Sequence, residues 1–130
     1  MKDLNTALVT GGGRGIGKET AILLSEKGMN IVICSKTQEE IDLVVKEIKM
    51  LGNNQIMGRK CDVSKSDEVN NLVKETLIKY GRIDVLINNA GITYVKKLVD
   101  TTEEEWDLTM DINLKGVFLL SSNSSTNDEE

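Results

Sequence analysis

A glycine-rich turn between a short apolar strand and an amphipathic helix limits the folds open to this chain more than any other feature. Residues 10–17 read TGGGRGIG, directly after the apolar run TALVT and before a helical pattern that ends at Gly28. A pyrophosphate must approach the backbone closely and accept N–H bonds from a helix start, so side chains are excluded there. We assign Gly11 to the tight turn, Gly15 to the close approach and Gly17 to packing of the helix on the strand. The turn predicts a dinucleotide site.

Three more strand-helix pairs follow this first one. The predicted strands are Thr6–Thr10, Asn30–Ser35, Gln55–Cys61 and Ile83–Asn88, and the helices run from Ile16 to Lys27, between Thr37 and Gly52, between Ser64 and Gly81, and from Thr102 through Phe118. Apolar strands alternating with amphipathic helices predict an α/β fold, a Rossmann-type doubly wound parallel sheet with strand order 3-2-1-4. Ligands bind such sheets beyond the carboxyl ends of strands one and four, where both the glycine turn and the segment 88–91 lie.

Local patterns add detail to this outline. Capping boxes are predicted at Thr37 with Glu40, Ser64 with Asp67, and Thr102 with Glu105. The buried face of the first helix is predicted to carry Ile16, Thr20, Leu23 and Leu24, and Trp106 on the last helix is interpreted as a core residue. Residues 121–130 contain no apolar side chain and are expected to form a solvated, disordered tail.

The amino-acid composition excludes several classes of function. The chain has no histidine, which excludes Ser-His-Asp hydrolysis, Cys-His proteolysis and histidine-ligated zinc, and we expect no metal site. Three of its five net negative charges come from the last three residues, and no basic cluster suggests a nucleic-acid or membrane partner. Cys34 and Cys61 lack a C-x-x-C arrangement and are expected to be reduced, buried thiols. With no signal peptide or apolar span predicted, we expect a cytoplasmic protein.

A second nucleotide motif competes for the same turn. Gly12 is followed after four residues by Gly17 and Lys18, which nearly completes a P-loop and keeps a nucleoside triphosphatase as an alternative. Glu19 occupies the position where a serine or threonine would ligate magnesium, and an acidic residue there repels phosphate. The P-loop is therefore the weaker interpretation.

Four motifs in register resemble the short-chain dehydrogenase/reductase family from about Thr6 to Leu120. They are TGGGRGIG, Asp62-Val63 after strand three, Asn88-Asn89-Ala90-Gly91 after strand four, and Asn113 in the sequence MDINL. The resemblance, which is to the 3-oxoacyl-carrier-protein reductase type, implies that residues 1–120 form a partial NAD(P)-binding Rossmann domain, truncated after the helix that follows strand four. It implies cofactor contacts at Thr10, Gly11, Arg14, Gly15, Ile16, Gly17, Ser35, Lys36, Asp62, Val63, Asn89, Ala90 and Gly91, and an active-site role for Asn113. Asp62 has an alternative role in the turn before Ser64, and Asn113 has one as a kink-forming or solvent-facing residue.

The residues after strand two decide the expected cofactor. NAD binding calls for a carboxylate near the ribose 2′-hydroxyl, whereas a 2′-phosphate calls for cations. Strand two ends in Cys34-Ser35-Lys36, and Lys36 together with Arg14 resembles the family's NADP-preferring pattern. NADP(H) is the expected cofactor, with NAD(H) as the alternative, and two solvated surface cations remain a competing interpretation of Lys36 and Arg14.

The resemblance implies an NADP-dependent oxidoreductase that reduces a ketone, such as a 3-oxoacyl thioester, by hydride transfer. The family's Tyr-x-x-x-Lys is absent, because Tyr80 is followed by Asp84 and Tyr94 by Leu98, and Ser121 and Ser122 follow Asn113 too closely to match its serine. We therefore expect this chain to be inactive alone. A non-catalytic nucleotide-binding remnant or partner-binding protein is the alternative. The apolar strand Ile83–Asn88 would form an open edge, which favours homo-oligomers or aggregation.

Overall fold

Four parallel strands form one sheet in the order β3-β2-β1-β4 in the computed structural model, which describes residues 4–125. The strands are β1 (Thr6–Thr10), β2 (Asn30–Ser35), β3 (Ile56–Lys60) and β4 (Val85–Ile87). The helices are α1 (Gly15–Glu26), α2 (Gln38–Met50), α3 (Ser66–Tyr80), α4 (Glu103–Met110) and α5 (Gly116–Ser125), with a 3-10 turn at Leu98–Asp100. The predicted α/β class and strand order are confirmed.

Two apolar clusters cover the two faces of the sheet. One face packs β-strand residues against α3 and α5 and includes Leu8, Val32, Leu72 and Leu120, and the other packs Val9 and Ile33 with neighbours from α1 and α2. Every residue of β1 is buried, whereas β4 is only half-buried throughout. Central strands covered on both faces thus explain the continuous apolar runs in the sequence. None of the helices in residues 4–125 is long and apolar enough to cross a membrane.

The predicted inner face of α1 is correct only in part. Ile16 is 79% exposed and Leu23 is 59% exposed, and the buried residues of this helix are Gly17, Ala21 and Ser25. Small side chains on that line let the helix lie close to the sheet, and Ile16 and Leu23 turn outward. Leu24, in contrast, is partly buried against the apolar cluster on this face of the sheet. Periodicity favours the most apolar stripe, but the distance between helix and sheet determines which stripe fits.

Only one of the three predicted capping boxes forms. The backbone amide of Glu105 donates to Thr102 Oγ1 at 3.1 Å, as predicted. Helix α2 begins after Thr37 as expected, but the Thr37 side chain makes no capping bond and its amide donates to Ser35 Oγ instead. Helix α3 begins one residue later than predicted, because the Ser64 side chain bonds to Asp62 and leaves the cap position to Lys65.

The last predicted helix contains a break. A π-helical turn, Asp111–Lys115, separates α4 from α5, and Asn113 lies within it. Such turns insert an extra residue into the helical ladder and concentrate at functional sites. Helix α5 continues through Ser125, so the first five residues of the predicted solvated tail are helical instead. Residues 126–130 lie outside the described residues.

An apolar surface extends along α4 and α5. Trp106 is 55% exposed, so its interpretation as a core residue is wrong, and Leu114 and Phe118 are exposed beside it. Within the described residues β4 pairs only with β1, which leaves the far side of β4 open. The structure therefore has an open edge at β4, as predicted, and in addition an exposed apolar surface on α4 and α5.

We expect concentration-dependent association of this 130-residue chain, because an open apolar edge such as Val85–Ile87 recruits strands from other copies. Size-exclusion chromatography with light scattering over a range of concentrations, paired with a thermal melt, measures it. A monodisperse monomer with a cooperative melt at about 45 to 65 °C, as in a mesophile domain, would contradict the expectation.

Candidate dinucleotide-binding site

A cavity of about 400 Å³ opens beyond the carboxyl ends of the central strands. The turn after β1, the end of β2 and the loop after β4 form its walls, at the point where the chain reverses direction in the sheet. Its lining includes nine of the predicted cofactor residues: Gly11, Arg14, Gly15, Ser35, Lys36, Val63, Asn89, Ala90 and Gly91. The other predicted site residues, Thr10, Ile16, Gly17, Asp62 and Asn113, do not line it.

Gly15 and Gly17 of the turn have different structural roles. Gly15 has a φ of 58°, and a Cβ built on it meets nothing within 4 Å, so the backbone at the start of α1 faces open space. A Cβ on Gly17 would lie 2.5 Å from Asn89 Nδ2 and closer still to the carbonyl oxygen of Gly11. The first arrangement gives an anion access to helix N-terminal amides, and the second holds α1 against the strand ends.

Thr10 and Asn89 connect the glycine turn to the loop after β4. Thr10 Oγ1 accepts hydrogen bonds from the backbone amides of Asn89 and Ala90, at 3.0 and 2.9 Å. Asn89 Nδ2 in turn donates to the carbonyl oxygen of Gly11 at 3.1 Å. The two loops that form opposite walls of the cavity are therefore held by side-chain bonds from each to the backbone of the other.

Replacing Thr10 by valine tests this connection. The change keeps the shape of the 2% exposed side chain but removes the acceptor for two amides, so we expect the free energy of unfolding to fall by about 2 kcal/mol. Urea unfolding followed by circular dichroism measures the change. Thr20→Val is the matched control, because that hydroxyl bonds only to a carbonyl of its own helix, and we expect a change below about 0.5 kcal/mol. Equal effects at the two positions would contradict the role of Thr10.

Lys36 and Asp62 meet beside the end of β2. Lys36 Nζ lies 3.8 Å from Asp62 Oδ2, and Asp62 Oδ1 accepts from both the amide and the hydroxyl of Ser64. Burial raises the pKa of the Asp62 carboxyl, but the Ser64 bonds and the Lys36 and Lys65 charges outweigh it and hold the pKa below its ordinary value. Asp62 thus shapes the turn after β3 and steers Lys36, whose side chain stays half exposed.

Several cavity residues were not predicted. Glu40 lines the cavity from the first turn of α2, and the sequence pattern had assigned it to a capping box. Cys34 and Cys61 also line it, and both are free and buried as predicted. A hydrogen bond to Cys61, together with burial, raises the pKa of the Cys34 thiol well above its ordinary value. Their positions at the ends of β2 and β3 are the only sequence signal that could have placed the two thiols here.

Asn113 acts on the cavity through the loop after β4. Its Oδ1 accepts from the Ile92 amide at 2.8 Å, and its Nδ2 donates to the Ile92 carbonyl oxygen at 2.7 Å. Ile92 and Ile112 line the cavity, so this pair of bonds fixes one wall of it against the π-helical turn. An amide side chain fits this position because it both donates and accepts.

The P-loop interpretation does not agree with the position of its lysine. Lys18 Nζ lies 3.1 Å from Glu47 Oε2 on α2, and Lys18 is not among the residues that line the cavity. A P-loop lysine must reach the phosphates that the turn cradles. Within residues 4–125, no group of three cysteine, aspartate or glutamate side chains is arranged to hold a metal ion.

The residues that line the cavity are of the types that a dinucleotide needs. The open backbone at Gly15 suits a pyrophosphate, and Arg14 and Lys36 give the lining of the cavity the positive charge that a 2′-phosphate calls for. The apolar side chains of Val63 and Ala90 provide surfaces for a ring system.

Comparison with known proteins gives one consistent result. The sequence model of the family described as short chain dehydrogenase matches residues 5–127. The chain is 43% identical over 119 residues to the 3-oxoacyl-(acyl-carrier-protein) reductase FabG of Staphylococcus aureus, covering 91% of this chain and 48% of that protein. The chain thus spans about half the length of the curated relatives it matches.

Solved structures show the same similarity. The actinorhodin polyketide ketoreductase, crystallised as a variant with NADPH, superposes with a TM-score of 0.92 at 34% identity, covering 96% of this chain and 48% of that one. A metagenomic short-chain oxidoreductase in complex with NADP superposes with a TM-score of 0.89 at 33% identity, covering 94% and 55%. Both similarities extend over nearly all of the present chain.

Proposed function

Because the chain belongs to the short-chain dehydrogenase family, we propose that it binds NADP(H) in the cavity beyond β1, β2 and β4. In this proposal it forms the cofactor-binding part of an oxidoreductase that reduces a ketone, such as a 3-oxoacyl thioester. The observation that carries the proposal is the convergence of an open glycine turn with Arg14 and Lys36 on one cavity wall.

Electrostatics supports the choice of the phosphorylated cofactor. Arg14 precedes the first residue of α1, where its side chain and the helix amides share one end of the cavity. Lys36 follows β2 directly and lines the same cavity. Two cations from different elements favour a 2′-phosphate over a hydroxyl, because a charge-assisted bond is about twice as strong as a neutral one.

The described residues support binding and orientation. When bound, the nicotinamide cofactor supplies the hydride. Gly15 and the first amides of α1 would hold the pyrophosphate, Lys36 and Arg14 would hold the 2′-phosphate, and Asn89 to Gly91 would line the side of the cavity formed by the loop after β4. Asn113 is a positioning residue that keeps this wall in place through Ile92.

A charge reversal at Lys36 tests the cofactor assignment. We expect Lys36→Asp to weaken NADPH binding by about a hundredfold while NADH binding is kept or improved, since the new carboxylate repels the 2′-phosphate. Fluorescence titration of purified protein with each cofactor measures both affinities. Lys74→Asp makes the same charge change on the exposed side of α3 and should leave both affinities unaltered. Unchanged NADPH binding in Lys36→Asp would refute the assignment.

One observation favours a second candidate function, a nucleotide-binding protein without catalysis. Neither tyrosine is placed to donate a proton in the cavity: Tyr80 is fully buried at the end of α3, and Tyr94 does not line the cavity. Both candidates, the non-catalytic protein and the cofactor-binding part of an enzyme, predict that this chain binds the cofactor but does not turn over a ketone.

A further inference from the structure

The acidic side chain of Glu40 lies beside the glycine turn, at the cavity that we propose for the cofactor. A Cβ built on Gly13 would lie 3.0 Å from Glu40 Oε2 and 3.1 Å from Ser35 Oγ, so the carboxylate and the hydroxyl flank the same point beside the glycine turn. Glu40 also lines the cavity together with Arg14 and Lys36. The wall that carries the two cations therefore carries one anion as well.

This placement follows from the capping box that does not form. In such a box the Glu40 carboxylate would reach back to the Thr37 amide. That amide instead donates to Ser35 Oγ at 3.3 Å, and the Glu40 carboxylate has no hydrogen bond or ion pair with any residue from 4 to 125. The carboxylate is thus available to a ligand in the cavity.

We propose that Glu40 determines how strongly this site discriminates between NADP(H) and NAD(H). The inference rests on the proposed cofactor function. A carboxylate at this place accepts a hydrogen bond from a ribose 2′-hydroxyl and repels a 2′-phosphate. Glu40 therefore opposes Arg14 and Lys36, and the preference for the phosphorylated cofactor is smaller than the two cations alone would produce.

A neighbouring carboxylate allows the effect of Glu40 on cofactor preference to be distinguished from a general effect of negative charge. Lys36 is drawn toward Asp62, 3.8 Å away, and Lys18 is paired with Glu47. Glu39, the preceding residue, lies in the same first turn of α2 but is exposed and does not line the cavity. Glu39 and Glu40 thus differ in access to the cavity while sharing charge and helix position.

The test compares Glu40→Gln with Glu39→Gln. We expect Glu40→Gln to raise the ratio of NADPH to NADH affinity by about tenfold, the effect of removing one unit charge at partly screened contact range. Fluorescence titration measures the affinities for NADPH and NADH. Calorimetry measures the affinities for a second pair of probes, adenosine 2′,5′-bisphosphate and adenosine 5′-phosphate. The same rise in ratio for the adenosine pair would locate the effect at the 2′-phosphate. Glu39→Gln should change the ratio by less than about twofold.

The outcomes separate the inference from the function it rests on. If the unaltered chain binds NADPH but its affinity ratio is the same in Glu40→Gln, the inference is wrong and the cofactor site stands. If the unaltered chain binds neither cofactor, both fail. Glu40→Ala, which suits a helix and also lacks the charge, must give the same rise as Glu40→Gln, so a folding defect in one variant leaves the other to decide.

Discussion

We expect the 130-residue chain to reduce no ketone at a measurable steady rate, even when NADPH is saturating. A positioned general acid contributes about 10²- to 10⁴-fold, and donors for the developing alkoxide contribute a further 10²- to 10³-fold. No tyrosine supplies them, because burial raises the pKa of Tyr80 to about 12 and no part of Tyr94 lines the cavity. We therefore expect a rate at least about 10⁴-fold below that of a complete reductase of the family.

A panel of ketones that includes a 3-oxoacyl thioester, monitored by NADPH absorbance, measures this rate. A complete short-chain reductase assayed in the same buffer is the positive control, and a mock purification from the same host accounts for trace enzyme. Turnover that rises in proportion to the amount of chain and disappears in Lys36→Asp would contradict the expectation and assign catalysis to residues described here.

We expect Gly17→Ala to weaken cofactor binding strongly and to destabilise the fold. The new Cβ would overlap the Gly11 carbonyl oxygen and lie 2.5 Å from Asn89 Nδ2, so α1 must move away from the strand ends that it packs against. We expect a loss of about 3 kcal/mol in the free energy of unfolding, because overpacking against backbone cannot be relieved by a rotamer change. NADPH affinity should fall by more than about a hundredfold with the displaced amides. Urea unfolding and fluorescence titration measure the two effects.

Gly28→Ala is the matched control. Gly28 has a φ of 85° at the far end of the same helix, and a Cβ there meets nothing within 4 Å. The substitution costs about 1 kcal/mol from backbone strain alone and should leave NADPH affinity unaltered. If Gly17→Ala were no more harmful than Gly28→Ala, close packing at the turn would not be what holds the site.

The sheet was predictable from sequence because its strands are buried on both faces. β1 and β2 begin and end at the predicted residues, since their apolar runs are continuous and bounded by polar or glycine residues. β4 is three residues long where six were predicted, because only Val85–Ile87 pair with β1. Pairing depends on a neighbour far away in sequence, which a local pattern does not contain.

The site was predictable in its backbone and less so in its side chains. The glycine turn needs residue types that sequence shows directly, and its placement beside the loop after β4 follows from the strand order. The position of Glu40 depends on whether Ser35 or Glu40 receives the Thr37 amide, a choice between two bonds that the T-x-x-E pattern does not settle. Likewise, Asn113 in the π-helical turn bonds to Ile92, 21 residues away, and a local pattern does not contain that contact.

The most direct test of the account is a titration of the unaltered chain with NADPH and with NADH at fixed ionic strength. The account predicts saturable binding of one NADPH per chain, with NADH bound several times more weakly, because Arg14 and Lys36 together outweigh Glu40 at the 2′-phosphate. Raising the salt concentration should weaken the binding of NADPH more than that of NADH, because salt screens the interaction of the cations with the additional phosphate. Equal affinities at low salt, or no saturable binding of either cofactor, would contradict it.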